Sequence, residues 1–179
     1  MGLKIYQPSN IHPSAKIGDG TKIGAFVDIG RDVVLGKNCN IQAHVTISNE
    51  CKLGDNVFIG PNTSLLNDKY PVSDVCSPVI VEDNAVIGGG CIILPNVRIG
   101  ESANIGAGSV VVHDVSSNCL VYGNPAAWRG ESITIYKPQT FMYCSNCDYI
   151  KVPKGTLNCP ICERKLTKTV EKDEGGLPK

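Results

Sequence analysis

Ile11, Ile17, Ile23, Ile29, Leu35, Ile41, Ile47, Leu53, Ile59 and Leu65 stand six residues apart, and after one gap Val81, Ile87, Ile93, Ile99, Ile105 and Val111 resume the interval. Four positions after each aliphatic residue comes a small or β-branched one, as in Ala15, Thr21, Val27, Val33, Cys39, Val45 and Cys51. Gly often follows directly, as at Gly18, Gly24, Gly36, Gly60 and Gly106. An amphipathic helix needs apolar residues three and four apart, so this period excludes one. A short strand closed by a tight turn fits, with glycine expected to supply the turn geometry. Each unit offers two inward side chains and cannot bury a core alone; stacking the units gives a continuous aliphatic column. Aromatic residues make up only 6% of the chain, as expected of an interior filled by aliphatic ladders. Cys39, Cys51 and Cys91 fall in the inner slot and read as small packing residues rather than ligands or nucleophiles.

The repeat breaks once. Leu65 to Val81 is 16 residues where six are expected, so ten leave the stack. Residues 66–80 therefore read as a loop carried by a rigid scaffold, where binding and catalytic groups concentrate. The loop offers Asn67, Asp68, Lys69, Tyr70, Ser73, Asp74 and Cys76, and no histidine.

The formal charge is zero, with 17 Lys+Arg against 17 Asp+Glu. That gives no electrostatic case for nucleic acid or an anionic membrane. The N-terminus has no signal-peptide core and no apolar run could span a bilayer, so a cytoplasmic protein is expected. Cys144, Cys147, Cys159 and Cys162 form CxxC-x11-CxxC, the spacing of a four-thiolate metal site. Residues 143–168 read as a zinc ribbon with a hairpin at the Pro-Lys-Gly of 153–155, after a linker over 131–142 and before a disordered tail over 169–179. Iron in a rubredoxin-like site is the alternative. Beyond Gly130, eight Lys/Arg face six Asp/Glu, too little surplus for a DNA-binding module and suited to a structural or docking role.

Residues 11 to 116, with "VFIGPN", "NDKYP" and the ending "CLVYGNPAAWRG" at 119–130, resemble the hexapeptide-repeat acyltransferases. The resemblance implies an all-β left-handed parallel β-helix of about five coils, with one inserted loop, over residues 1–130 and capped by 117–130. It also implies a homotrimer holding acetyl-CoA between copies. Gly89 and Ala107, 18 apart, then share a bare groove for the pantetheine arm. Arg129 is placed near the coenzyme phosphates, and His113 where the family has a polar contact to the cofactor. Within the family, "VFIGPN" and "NDKYP" resemble the branch that N-acetylates nucleotide-linked amino sugars for surface polysaccharide. Asn67 would meet the sugar amine there, and Asp68 is the nearest candidate base. An amine needs less activation than a hydroxyl, which fits a loop without histidine. Two alternatives stay open: O-acetylation with His44 as base, and a non-catalytic scaffold with the ribbon as docking module. His12 reads as structural.

Overall fold

The computed structural model describes residues 2–70 and 75–132, and beyond them the backbone of strands Gln139–Cys144, Asp148–Pro153 and Thr169–Val170. Chain contacts divide it into two units, Met1–Ile133 and Thr134–Lys179.

The first unit is a three-sided parallel β-helix built from two-residue strands, as the left-handed hexapeptide fold requires. Face 1 stacks Lys4–Ile5, Lys22–Ile23, Asn40–Ile41, Phe58–Ile59, Val86–Ile87 and Asn104–Ile105. Face 2 runs from Asn10–Ile11 through Thr46–Ile47 and Ser64–Leu65 to Val110–Val111, and face 3 from Lys16–Ile17 to Arg98–Ile99. In each strand the second residue points inward and the first outward. The aliphatic series and its small partners form one core, with Ile23, Val33, Val45, Cys51, Ile59, Leu65, Ile87, Cys91 and Ile99 fully buried.

The helix has about six turns, not the five expected from the repeat count. Ile5 already belongs to the series, and Lys4–Ile5 lies in register beneath Lys22–Ile23. Ile5 stays 38% exposed because no described turn lies below it, which weakens its signature as a core residue. At the other end Val121 pairs with Ile105 and leads into the antiparallel hairpin Cys119–Gly123 with Ala126–Glu131.

The ladder shows where the ten extra residues go. Ser64 pairs with Thr46, 18 back, and with Ile92, 28 on. The regular register resumes above the break, so the excursion leaves every face intact.

Glycine's role also differs from expectation. The turn residue in the left-handed region is the third after the aliphatic one: Gly20, Phe26, Asn38, His44, Asn56, Asn62, Gly90 and Gly108 all have φ between 55° and 76°. The glycine directly after the aliphatic residue is needed instead for close approach. A Cβ on Gly18 would lie 2.5 Å from the Gly36 carbonyl carbon, and one on Gly88 would lie 2.5 Å from Ala107 N. Turns stacked at roughly 4.8 Å leave no room there for a methyl group.

In the second unit Gln139–Cys144 pairs antiparallel with Asp148–Pro153, and Phe141–Met142 also pairs with Thr169–Val170. Of the turn expected at 153–155, Pro153 ends the second of these strands, and 154–155 lie outside the described residues. The first of these strands takes in the last four residues of the expected linker, and the third the first two of the expected tail. Cys144 ends the first strand; Cys147, Cys159 and Cys162 lie outside the described residues.

Candidate active site

The candidate residues fall on two different edges of the prism. The first edge joins faces 1 and 2, and the second joins faces 2 and 3.

On the first edge the left-handed residues of successive turns are Phe26, His44, Asn62, Gly90 and Gly108. Backbone bonds chain them vertically: His44 N donates to Ala25 O at 3.1 Å, Asn62 N to Ala43 O at 3.2 Å, Gly90 N to Pro61 O at 2.7 Å, and Gly108 N to Gly89 O at 2.9 Å. Gly89 and Ala107 therefore do stack, at a corner. Ala107 is exposed, and a Cβ built on Gly90 or Gly108 would meet nothing within 4 Å. The result is an open ledge of backbone.

The ledge is held from inside. The inner slot behind this edge carries Val27 and Val45 in the lower turns, then changes to Thr63, Cys91 and Ser109. Thr63 Oγ1 donates to Gly88 O at 2.9 Å and accepts from Cys91 N at 3.3 Å. Cys91 Sγ contacts Gly106 O at 3.2 Å, and Gly123 N donates to Ser109 Oγ at 3.2 Å. These buried polar groups tie down turns that lack side chains of their own. Burial pushes the Cys91 thiol up, as it does Cys39, and Cys51 is raised to about 11. All three stay protonated, as packing residues should.

Above the ledge, Tyr122 covers Gly106, and the Arg129 guanidinium lies over the Tyr122 ring at 5.0 Å. Arg129 is exposed, so Gly89, Ala107 and Arg129 come to one edge. At the lower end His44 is exposed and stacks on Phe26, with ring centroids 4.9 Å apart and planes within 6°.

The second edge carries the break. Asn96 N donates to Ser77 O at 2.8 Å, the same turn-to-turn bond that Glu50 N makes to Arg31 O on this edge. Ser77 therefore occupies a regular turn position, and the excursion comprises 67–76. Ser77 N donates to Asn67 O at 2.6 Å, and Asn67 Nδ2 reaches Cys76 Sγ at 3.4 Å, closing the neck. Beside it Asp68 Oδ1 is buried without a hydrogen-bond partner among the described residues. A buried carboxylate oxygen left without a donor is costly, which marks this atom as one that a ligand N–H or O–H would satisfy. His113 is exposed on this same edge, two turns higher.

Asn67 and Asp68 thus come together at the neck. His44 does not join them, since its edge lies across face 2 from theirs. His113 is separated in the same way from Gly89, Ala107 and Arg129. His12 accepts from Ser14 N through Nδ1 at 3.2 Å, as a turn-closing residue. Phe26 and Tyr122 were missed by reading for polar chemistry. Phe26 had a signal: it is the one aromatic at a turn position otherwise filled by Gly, Asn, Asp, Ser, Glu or His. Among the described residues no cluster of His, Cys, Asp or Glu could hold a metal, and no helix is long and apolar enough to cross a membrane.

Residues 14–49 and 78–113 match the bacterial transferase hexapeptide family (six repeats), so both halves of the helix, on either side of the excursion, carry that repeat. Fold and repeat together define a hexapeptide-repeat β-helix similar to the acyltransferases built on it. A GDP-perosamine N-acetyl transferase mutant from Caulobacter crescentus, solved with CoA and GDP-perosamine, superposes with a TM-score of 0.66 at 29% identity, covering 73% of this chain and 58% of that one. The acetyltransferase domain of PglB from Neisseria gonorrhoeae shares the fold, with a TM-score of 0.63 at 24% identity over 71% of this chain and 57% of that one. In sequence, the bifunctional protein GlmU of Caldicellulosiruptor saccharolyticus is 32% identical over 140 residues, covering 78% of this chain and 29% of that protein. The chain thus spans under a third of that relative and just over half of the two solved structures.

Proposed function

We propose that the protein is an acetyl-CoA-dependent N-acetyltransferase of the cytoplasm. Its acceptor is an amino sugar carried on a nucleotide, used in surface polysaccharide or glycoconjugate synthesis. The observation that carries this reading is the neck of the excursion, where Asn67 is fixed and Asp68 Oδ1 is buried without a donor. An amine offers the N–H that this oxygen lacks. The Caulobacter enzyme supports the same reading, since its crystal holds CoA together with a nucleotide amino sugar.

In this reading the bare ledge at Gly89 and Ala107 takes the pantetheine arm, with Arg129 toward the coenzyme phosphates. Asn67 orients the amine and Asp68 accepts its proton as the nitrogen attacks the thioester carbonyl. One copy presents ledge and neck on different edges, so a homotrimer would close the site, each ledge facing a neighbour's neck. His44, on the ledge edge, would then approach the acceptor from the other side, and His113 would reach the neighbour's coenzyme. The four C-terminal cysteines are proposed to hold one structural zinc in a ribbon, with a docking role. Metal analysis of the whole protein should find close to one zinc per chain, lost in Cys159→Ser.

The test is turnover of acetyl-CoA with nucleotide-linked amino sugars against the matching hydroxyl sugars. Release of CoA only with amines supports the proposal. Turnover only with hydroxyls, abolished by His44→Ala, would replace it with O-acetylation. Failure to bind acetyl-CoA would favour the scaffold.

A further inference from the structure

Phe26 is 56% exposed at a turn position with φ 59°. A left-handed backbone is disfavoured for an L-residue, and a bulky aromatic is the least expected occupant. Its neighbours in the column follow the rule with Asn62, Gly90 and Gly108. Nor does Phe26 contribute to the core, whose inner slot in this turn is filled by Val27. Among the described residues its one ring partner is His44, on the next turn up, held parallel at 4.9 Å. Phe26 N donates to Pro8 O beneath, which fixes the turn.

An exposed pair of parallel rings at a strained position, outside the core, is a surface on which a third planar ring can lie. We propose that Phe26 and His44 form a stacking platform for the nucleobase of the acceptor. This rests on the proposed function and deepens it. The platform lies on the second and third turns, the excursion leaves from the fourth, and the ledge occupies the fifth and sixth. Two turns, at roughly 4.8 Å each, separate the His44 ring from Gly90. That span suits an acceptor whose amine lies at the level of the fourth turn and whose base extends down the edge through a phosphate linkage. Lys4 and Lys22, in register and exposed on face 1 of the two lowest turns, supply positive charge next to this end. Across the corner, Asp28 already accepts a hydrogen bond from Asn10 Nδ2 at 2.7 Å.

The adenine of CoA is the other planar ring available, and the test separates the two sources. Binding of uridine, guanosine and thymidine 5′-diphosphates, and separately of CoA, is measured by calorimetry on the whole protein and on Phe26→Asn and Phe26→Tyr. Asparagine relieves the backbone strain and removes the ring. At least one nucleoside diphosphate should bind the native protein. Phe26→Asn should weaken that binding roughly five- to 150-fold, the range for loss of one base stack. Phe26→Tyr should retain it, and CoA affinity should stay within about twofold throughout. The melting temperature of Phe26→Asn should hold or rise by up to ~4 °C. The proposal is overturned if no nucleoside diphosphate binds, if Phe26→Asn weakens only CoA, or if its melting temperature falls by more than ~4 °C. CoA binding by the native protein is read independently, so its failure would remove the acetyltransferase reading and leave the nucleotide result standing.

Discussion

The two edges of the helix arrive at their candidate-site geometry by opposite routes. Along the first, the chain never departs from its repeat: Phe26, His44, Asn62, Gly90 and Gly108 occupy one backbone position, and only the side chains change. Along the second, the repeat itself is interrupted, and Asn67 with Asp68 marks where residues 67–76 leave. A rigid stack can grade a surface by substitution, from rings to bare backbone, but it cannot bring a buried carboxylate beside an open surface. That takes extra chain. The β-helix absorbs it because register depends only on strand stacking, and closing one further surface loop costs little.

If the second edge holds the acceptor and the first the coenzyme, their variants should fail differently. Asn67→Ala and Asp68→Asn should each lower kcat/KM for an amino-sugar acceptor by roughly ten- to a thousandfold. Coenzyme affinity, measured by calorimetry, should be unchanged. Normal turnover in both would remove the neck from the site. Ala107→Leu fills the ledge from an exposed position and should weaken acetyl-CoA binding about tenfold or more, with acceptor binding and melting temperature preserved.

Mixing sharpens the comparison. Asn67→Ala and Ala107→Leu chains, assayed at limiting coenzyme and acceptor where each is impaired about tenfold or more, should reach about one quarter of native activity when co-assembled one to one. Each site between copies would take one edge from each neighbour, and a quarter of the random pairings combine two native edges. No recovery would mean that both edges serve a site within one copy, or that no trimer forms.

The smallest effect concerns the interior behind the broken edge. Cys51 is fully buried there, and burial raises its thiol from 9.0 to about 11. The folded protein therefore disfavours the thiolate, and this stabilisation is complete below pH 9 and lost as the pH rises toward 11. The melting temperature should fall across that window, and Cys51→Val should make the fall shallower. An identical profile in the variant would mean the thiol ionises as freely folded as unfolded.

Much of this was legible beforehand because a repeat repeats its environment. The six-residue interval identified the inner slots, and Cys39, Cys51 and Cys91 are buried in the core as their spacing required. The break was visible as a departure from the count. Ile5 escaped because it is a terminal, half-open unit of the same series. The turn glycines were misread because their need arises from the neighbouring turn: Gly18 is barred from a side chain by Gly36, eighteen residues away. Phe26 showed in the sequence only as an aromatic out of place.

The sequence by itself determined the strand period, the inward residues, the single excursion and the spacing of the four C-terminal cysteines. All of these are local, since a short strand and its turn are specified within six residues. Only the tertiary structure decided which corners share an edge. Gly89 and Ala107 stack beneath Tyr122 and Arg129, while Asn67 and Asp68 leave from the next edge and His44 stays with the ledge. Edge membership depends on how many residues complete a turn and on where the extra ones are extruded. Those quantities are fixed by ladder pairings between residues 18 and 28 apart, such as Thr46 with Ser64 below and Ser64 with Ile92 above, where no short stretch of sequence can specify them.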